Sequence, residues 1–257
     1  MKILAIIPAR YGSTRFPGKP LADIMGEPMI QRVYKQVQKT KKIDDIVVAT
    51  DDERIFQAVI AFGGKAIMTS ENHPSGTDRC FEALQKTDGK YDAVINVQGD
   101  EPFINPEQID QLAELITQKQ VDIATLISPI TDESLLFDSN IVKVVISKTG
   151  KALYFSRQAI PFNRNKPNES WITEHAYFRH LGIYVYKTEV LEAITKLAPS
   201  GLEKTESLEQ LRWLENDLYI QAGITEKESV SIDTVDDLKK IIDKIWIYTQ
   251  DVCILAG

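Results

Sequence analysis

The sequence predicts an α/β fold, a mostly parallel sheet covered by helices on both faces with an antiparallel hairpin inserted in its second half. Short β-type apolar runs alternate with helical periodicity through the first half, which is the rhythm of βαβ units. The rhythm then gives way to two apolar runs flanking Ser147-Lys148-Thr149-Gly150, a hairpin signal. With 257 residues, 43% hydrophobic and 26% charged, the chain is long and apolar enough to bury one large core.

Each element has its own signal. Residues 3–7 form an uninterrupted apolar run, the first buried strand. Ile30, Val33, Tyr34 and Val37 recur at i, i+3, i+4 and i+7, one stripe of a helix. A second strand is expected over 46–49. Thr50-Asp51 leads into a helix with Ile55, Phe56, Val59 and Ile60 facing inward, ended by Gly63-Gly64. Residues 66–68 read as a third strand, Thr77 as the start of a helix of two to three turns, and 94–97 as a fourth strand. Pro106 opens a helix with Ile109, Leu112, Ala113 and Ile116 as its buried stripe, and 123–127 is a fifth strand. Residues 142–146 and 152–155 make the hairpin. An apolar run at 181–186 follows an Asn-rich loop, then helices are expected over 189–197 and 206–218. A final helix starts at a capping box, Thr234 to Asp237, with Leu238, Ile241, Ile242 and Ile245 at helical spacing. Trp171, Trp213 and Tyr184 are expected to pack in the core or an interface.

Composition excludes several classes of function. The formal net charge of −7 argues against nucleic-acid binding, which calls for a basic surface, so any phosphate must be held locally. No run approaches the ~18 apolar residues of a membrane span, and the run at 3–7 is too short for a secretory signal. Cys80 and Cys253 lie far apart without metal-ligand spacing, and reduced thiols are expected. The expectation is a soluble cytoplasmic protein with no nucleic-acid or membrane partner.

The chemistry concentrates in the loop after the first strand, Pro8-Ala9-Arg10-Tyr11-Gly12-Ser13-Thr14-Arg15-Phe16-Pro17-Gly18-Lys19-Pro20. Three cations and two glycines follow a strand end, where open α/β sheets bind ligands and where backbone amides approach phosphate oxygens. It is not a Walker loop: the glycine spacing is one residue too long, and Pro20 replaces the Mg²⁺-binding hydroxyl. Nor does G-x-G-x-x-G follow this strand. A carboxylate at a strand end beside a phosphate site suits Mg²⁺, and Asp100 in Gln98-Gly99-Asp100-Glu101-Pro102 is placed for it.

That loop, from Ile7 to Leu21, resembles the signature of nucleotidyltransferases that couple CTP to acidic sugars, and more narrowly the 3-deoxy-D-manno-octulosonate (KDO) cytidylyltransferase family. Further segments agree in order and spacing: His73-Pro74-Ser75-Gly76-Thr77-Asp78-Arg79, Asn96 to Pro102, Tyr154-Phe155-Ser156-Arg157, Arg179 to Tyr184, Leu208 to Arg212, and Ile232-Asp233-Thr234. Gly12 stands where the family often has Ala, and residues beyond about 245 are unmatched.

The resemblance implies a Rossmann-like three-layer nucleotide-diphospho-sugar transferase fold, a single domain over 1–257 with a sugar-binding and dimerisation sub-region at about 130–190. It implies transfer of CMP from CTP to the anomeric hydroxyl of KDO for lipopolysaccharide assembly, with Mg²⁺ as cofactor, in a homodimer. An amino-KDO or other acidic sugar is the alternative acceptor. Arg10, Lys19, Asp100 and Asp233 would be catalytic, and Asp100 and Asp233 would hold the metal. Ala9, Arg10, Ser13, Arg15, Lys19, Ser75, Gly76, Thr77, Arg79 and Gln98 would bind the nucleotide. Arg157, His180, Glu209 and Gln210 would bind the sugar, with Glu206, Glu209 and Gln210 on one helix face. Local chemistry leaves other roles open: Ser75 or Thr77 as a helix cap, Asp233 as an acid at a helix N-terminus, His180 as a structural histidine, Glu101 as a cap or a solvent-facing acid. His73 and His175 carry no assignment.

Overall fold

A computed structural model of the chain describes residues 1–227 and 229–243. The first strand, β1 (Ile3–Ala9), is followed by a two-strand turn, β2 (Asp23–Ile24) and β3 (Glu27–Pro28), that the sequence does not announce. Then come α1 (Met29–Val37), β4 (Asp45–Thr50), α2 (Glu53–Ala61), β5 (Ala66–Met68), α3 (Gly76–Lys86), β6 (Ala93–Asn96), α4 (Pro106–Leu115) and β7 (Ile123–Pro129). The second half holds α5 (Glu133–Phe137), β8 (Lys143–Ile146), β9 (Ala152–Ser156), α6 (Trp171–Glu174), β10 (Phe178–Lys187), α7 (Thr188–Ile194), α8 (Gly201–Glu206), α9 (Gln210–Glu215) and β11 (Ile220–Ile224). A helix over 235–243 closes the described chain; Ile245, Cys253 and the tail lie outside the described residues.

The main sheet runs β11-β7-β10-β6-β1-β4-β5. β1 pairs in parallel with β4 and β6, as β4 does with β5 and β11 with β7. β10 is antiparallel to both β6 and β7, in the middle of the sheet. The hairpin β8–β9 joins the same sheet through β10, Phe178 opposite Val144.

Alternation along β1 explains the three layers. Ile3, Ala5, Ile7 and Ala9 face one core with the stripes of α1, α2 and α4. Leu4 and Ile6 face the other, with Cys80 and Ala83 of α3, Leu191 of α7 and Trp213 of α9. Both faces are covered, so the strands read as continuous apolar runs.

Two expectations need correction. Ile60 does not face inward; it is 47% exposed at the solvent edge of α2, because Ile55 and Val59 already fill the helix's narrow contact with the sheet. The helix expected over 206–218 is shorter, α9 spanning only Gln210–Glu215, because Glu206 belongs to the end of the preceding helix α8. Ser207 adopts φ +53°, ψ +49°, a left-handed bend that ends α8, so Glu206 does not share a helix face with Glu209 and Gln210. Among the described residues no helix is long and apolar enough to cross a membrane.

β1 lies between β4, reached next along the chain, and β6, reached later on the other side. The connections leave β1 and β6 in opposite directions, opening a crevice at their carboxyl ends.

Candidate active site

A cleft of about 250 Å³ fills that crevice. Its lining includes Ala9, Arg10, Ser13, Arg15 and Lys19 from the first loop, Ser75, Gly76 and Arg79 from the start of α3, Gln98 and Asp100 from the β6 exit, and Asp233. Eleven of the residues proposed from sequence for catalysis, metal and nucleotide thus converge, and Thr77 is the one of that set that does not line the cleft.

The loop owes its shape to local bonds. The Tyr11 carbonyl accepts from Ser13 N at 2.9 Å and from Gly18 N at 3.0 Å, closing it on itself. Gly18 has φ +70°, and a side chain there would meet the Tyr11 ring at 3.0 Å. The Arg54 guanidinium lies over the Tyr11 ring, 3.3 Å from its centroid. Sequence reasoning gave Tyr11 no role, since its partner sits on α2 and no local pattern links them. Across the cleft, Gly99 lets two backbones meet: a Cβ there would lie 2.7 Å from the Pro8 carbonyl oxygen.

Charge is paired at the mouth. Lys19 Nζ donates to Asp100 Oδ2 at 2.7 Å and to Asp233 Oδ1 at 3.4 Å, and Arg15 donates to Asp233 Oδ1 at 3.1 Å. Asp233 is carried there by the start of the terminal helix, where Asp237 accepts from Thr234 N and Thr234 Oγ1 from Asp237 N, the expected capping box. Arg10 is exposed and has no side-chain partner among the described residues. Arg79 is buried and held, donating to Asp51 Oδ2 at 2.7 Å and Thr69 Oγ1 at 2.6 Å. Glu101, expected at a cap or in solvent, is largely desolvated, and that burial pushes it up to about 7.

The start of α3 is bonded on both sides. Ser75 is the helix N-cap, accepting from Asp78 N, and it also lines the cleft. Thr77 is 3% exposed and donates to Glu209 Oε2 at 3.0 Å. His73 also lines the cleft and is paired with Glu82. Against desolvation that would raise it, bonds from Lys86, Ser70 N and His73 draw Glu82 down to about 2.

The four residues proposed for the sugar do not line this cleft. Arg157 donates from Nε to the Glu206 carbonyl at 2.7 Å, from Nη1 to Ser139 O at 3.1 Å and from Nη2 to Ser207 O at 3.4 Å. A guanidinium has five N–H donors, so two remain. His180 Nε2 is 3.0 Å from Thr125 Oγ1, its ring between Phe155 and Tyr184, and burial pushes it down to about 3. Gln210 is buried at the start of α9. Burial raises the Glu209 carboxyl, against the opposing bonds from Thr77 and Ser75. Tyr184 and Trp213 are core residues as expected, but Tyr184 Oη and Trp213 Nε1 are buried with no hydrogen-bond partner among the described residues.

Comparison with known proteins identifies the lineage. The family model for cytidylyltransferases matches residues 4–229. The chain is 53% identical over 246 residues to the 3-deoxy-manno-octulosonate cytidylyltransferase of Parabacteroides distasonis, covering 94% of this chain and 97% of that protein. With the same-named protein of Bacteroides thetaiotaomicron it shares 55% over 242 residues, covering 93% and 96%. A solved structure of CMP:2-keto-3-deoxy-manno-octonic acid synthetase complexed with CTP superposes with a TM-score of 0.90 at 40% identity, covering 96% of this chain and all of that one. A converging loop and carboxylate pair at the sheet's switch point, and a match along nearly the whole length, lead to one conclusion: the chain belongs to the 3-deoxy-D-manno-octulosonate cytidylyltransferase family.

Proposed function

We propose that the protein transfers CMP from CTP to the anomeric hydroxyl of KDO, releasing pyrophosphate, as a step toward lipopolysaccharide. The observation that carries this is the meeting of Lys19 with Asp100 and Asp233 in a cleft walled by Arg10, Ser13, Arg15 and Gly76. In the reaction the sugar oxygen bonds to the α-phosphorus as the bond to the pyrophosphate oxygen breaks. Transfer of this type depends on positioning and charge neutralisation rather than on a covalent protein intermediate.

The donor set fits Mg²⁺. Two carboxylates converge on one ammonium, and no group of three or more His, Cys, Asp or Glu among the described residues could hold a metal ion unaided. Mg²⁺ suits such a pair, since it takes one or two carboxylates and completes its shell with phosphates and water. Asp100 and Asp233 would hold it, and when bound it supplies charge neutralisation at the reacting phosphate.

The remaining roles follow from placement. Arg10, without a side-chain partner among the described residues, and Lys19 grip the triphosphate; Arg15 and the loop amides, Ser13 included, assist. Ala9, Ser75, Gly76 and Gln98 form the wall against which the base is recognised, with Arg79 and Thr77 behind it. Arg157 offers its two remaining donors to the sugar carboxylate, with His180, Glu209 and Gln210 around the acceptor. We read the enzyme as a cytoplasmic homodimer associating through the hairpin region, where Leu153 on β9 is 54% exposed.

The test is direct. With CTP and Mg²⁺ fixed, a panel of KDO, its amino derivative and a sialic acid should show pyrophosphate release fastest with KDO. No release with any acid sugar would refute the activity, and a faster amino derivative would reassign the acceptor. Asp100→Asn and Asp233→Asn should each lower turnover about 10²-fold or more in folded protein.

A further inference from the structure

We propose that Glu209 is a positioning residue for the nucleotide, a strut that holds the first turn of α3 against the cleft. The proposal rests on the cytidylyl-transfer reading above and adds to it a physical link between the acceptor side and the nucleotide side.

Glu209 occupies the N-cap position of α9, yet its carboxylate bonds no amide of its own helix. It reaches instead to Thr77 Oγ1 at 3.0 Å, 132 residues away, and to Ser75 Oγ at 3.2 Å. Ser75 has one hydroxyl proton and a nearer acceptor in Asp78 Oδ2 at 2.6 Å, so Thr77 is the firmer contact. Thr77 is 3% exposed, and without the carboxylate its hydroxyl would be a buried donor left unmade. Gly76, between the two, faces the cleft, with its Cα region against Pro8 and Asn96. Any rotation of this turn therefore moves backbone that lines the nucleotide site.

The other end of the strut is fixed as firmly. The Glu206 carboxylate accepts from Ser156 Oγ at 2.6 Å and from Arg157 N at 2.9 Å, and the Arg157 side chain donates to the Glu206 and Ser207 carbonyls. The left-handed bend at Ser207 turns the chain from this anchor toward α3, and fully buried Leu211 and Trp213 seat α9 behind it. Hairpin end, bend, Glu209, Thr77 and cleft wall form one continuous line of contacts.

Calorimetric titration of CTP with Mg²⁺, in the absence of any sugar, tests the strut. Glu209→Ala should weaken CTP binding about 10-fold or more, the loss of a hydrogen bond to a charged acceptor. Glu209→Gln, which keeps an acceptor for Thr77, should stay within about 3-fold of wild type, and Glu209→Ala with Thr77→Val should be no weaker than Glu209→Ala alone. Thr77→Val by itself should reproduce most of the loss, which guards against a misfolded Glu209 variant. Unchanged CTP affinity in Glu209→Ala and Thr77→Val would overturn the strut, leaving Glu209 as a sugar contact only. A wild-type chain that took up no CTP would overturn the cytidylyl-transfer reading itself, and the strut with it.

Discussion

Lys19 Nζ stands 2.7 Å from Asp100 Oδ2, and the same ammonium bonds Asp233. One lysine therefore neutralises two carboxylates that face the proposed phosphate site, and it contends with any divalent ion for their oxygens. Lys19→Met should bind Mn²⁺, followed by electron paramagnetic resonance without nucleotide, about 10-fold tighter than wild type. Turnover of the same variant should fall about 10²-fold or more, because the triphosphate loses a cation. Unchanged Mn²⁺ affinity would show that the lysine does not compete for these oxygens.

Gly99 tests the close approach of the β6 exit to the end of β1, the two backbones that meet at the cleft. A methyl group 2.7 Å from the Pro8 carbonyl has no flexible side chain to displace, so backbone must move. Gly99→Ala should lose about 1–3 kcal/mol in denaturant unfolding and raise the Michaelis constant for CTP. A variant as stable as wild type with normal kinetics would mean that these two segments separate freely.

Arg157 serves structure and, in the proposed role, substrate. Its replacement by alanine strips donors from three carbonyls, and an unfolding cost of about 1–3 kcal/mol is expected. The Michaelis constant for the sugar should rise far more than that for CTP. Equal rises would leave Arg157 as an anchor of the Ser207 bend with no sugar contact.

His180 sets an acid limit. Its folded value is pushed down to about 3, below the ordinary 6.5, so between those values the unfolded chain binds more protons. Stability contributed by the neutral ring is whole above about pH 6.5 and declines as pH falls toward 3. Thermal unfolding at pH 7 and pH 5 should show wild type losing at least about 2 °C more than His180→Gln. Parallel melting curves would rule out His180 as the titrating group.

Much of the architecture is local physics and was legible in the chain. The apolar run at β1, the stripes of α1 and α4, the Thr234 capping box and the hairpin turn depend on neighbours within a few residues, so composition and period reveal them. The cation-glycine loop and Asp100 announced phosphate chemistry for the same reason: residue type and strand-end position suffice to suggest it.

Partner choice between distant segments was not legible. Nothing near residues 181–186 says that this strand runs antiparallel between β6 and β7, for that depends on which sheet edges remain open when it arrives. Nor does any local pattern bring Asp233 to Lys19 across 214 residues, fold Arg54 over Tyr11, or turn Glu209 away from its own helix to Thr77. Ser207 reads like any helix residue; its left-handed bend lies between Glu206, tied to Ser156 and Arg157 at the hairpin end, and α9, which buries Leu211 and Trp213. Short-range preference settles which elements form and which chemistry they carry; the burial of many faces at once settles which side chains meet.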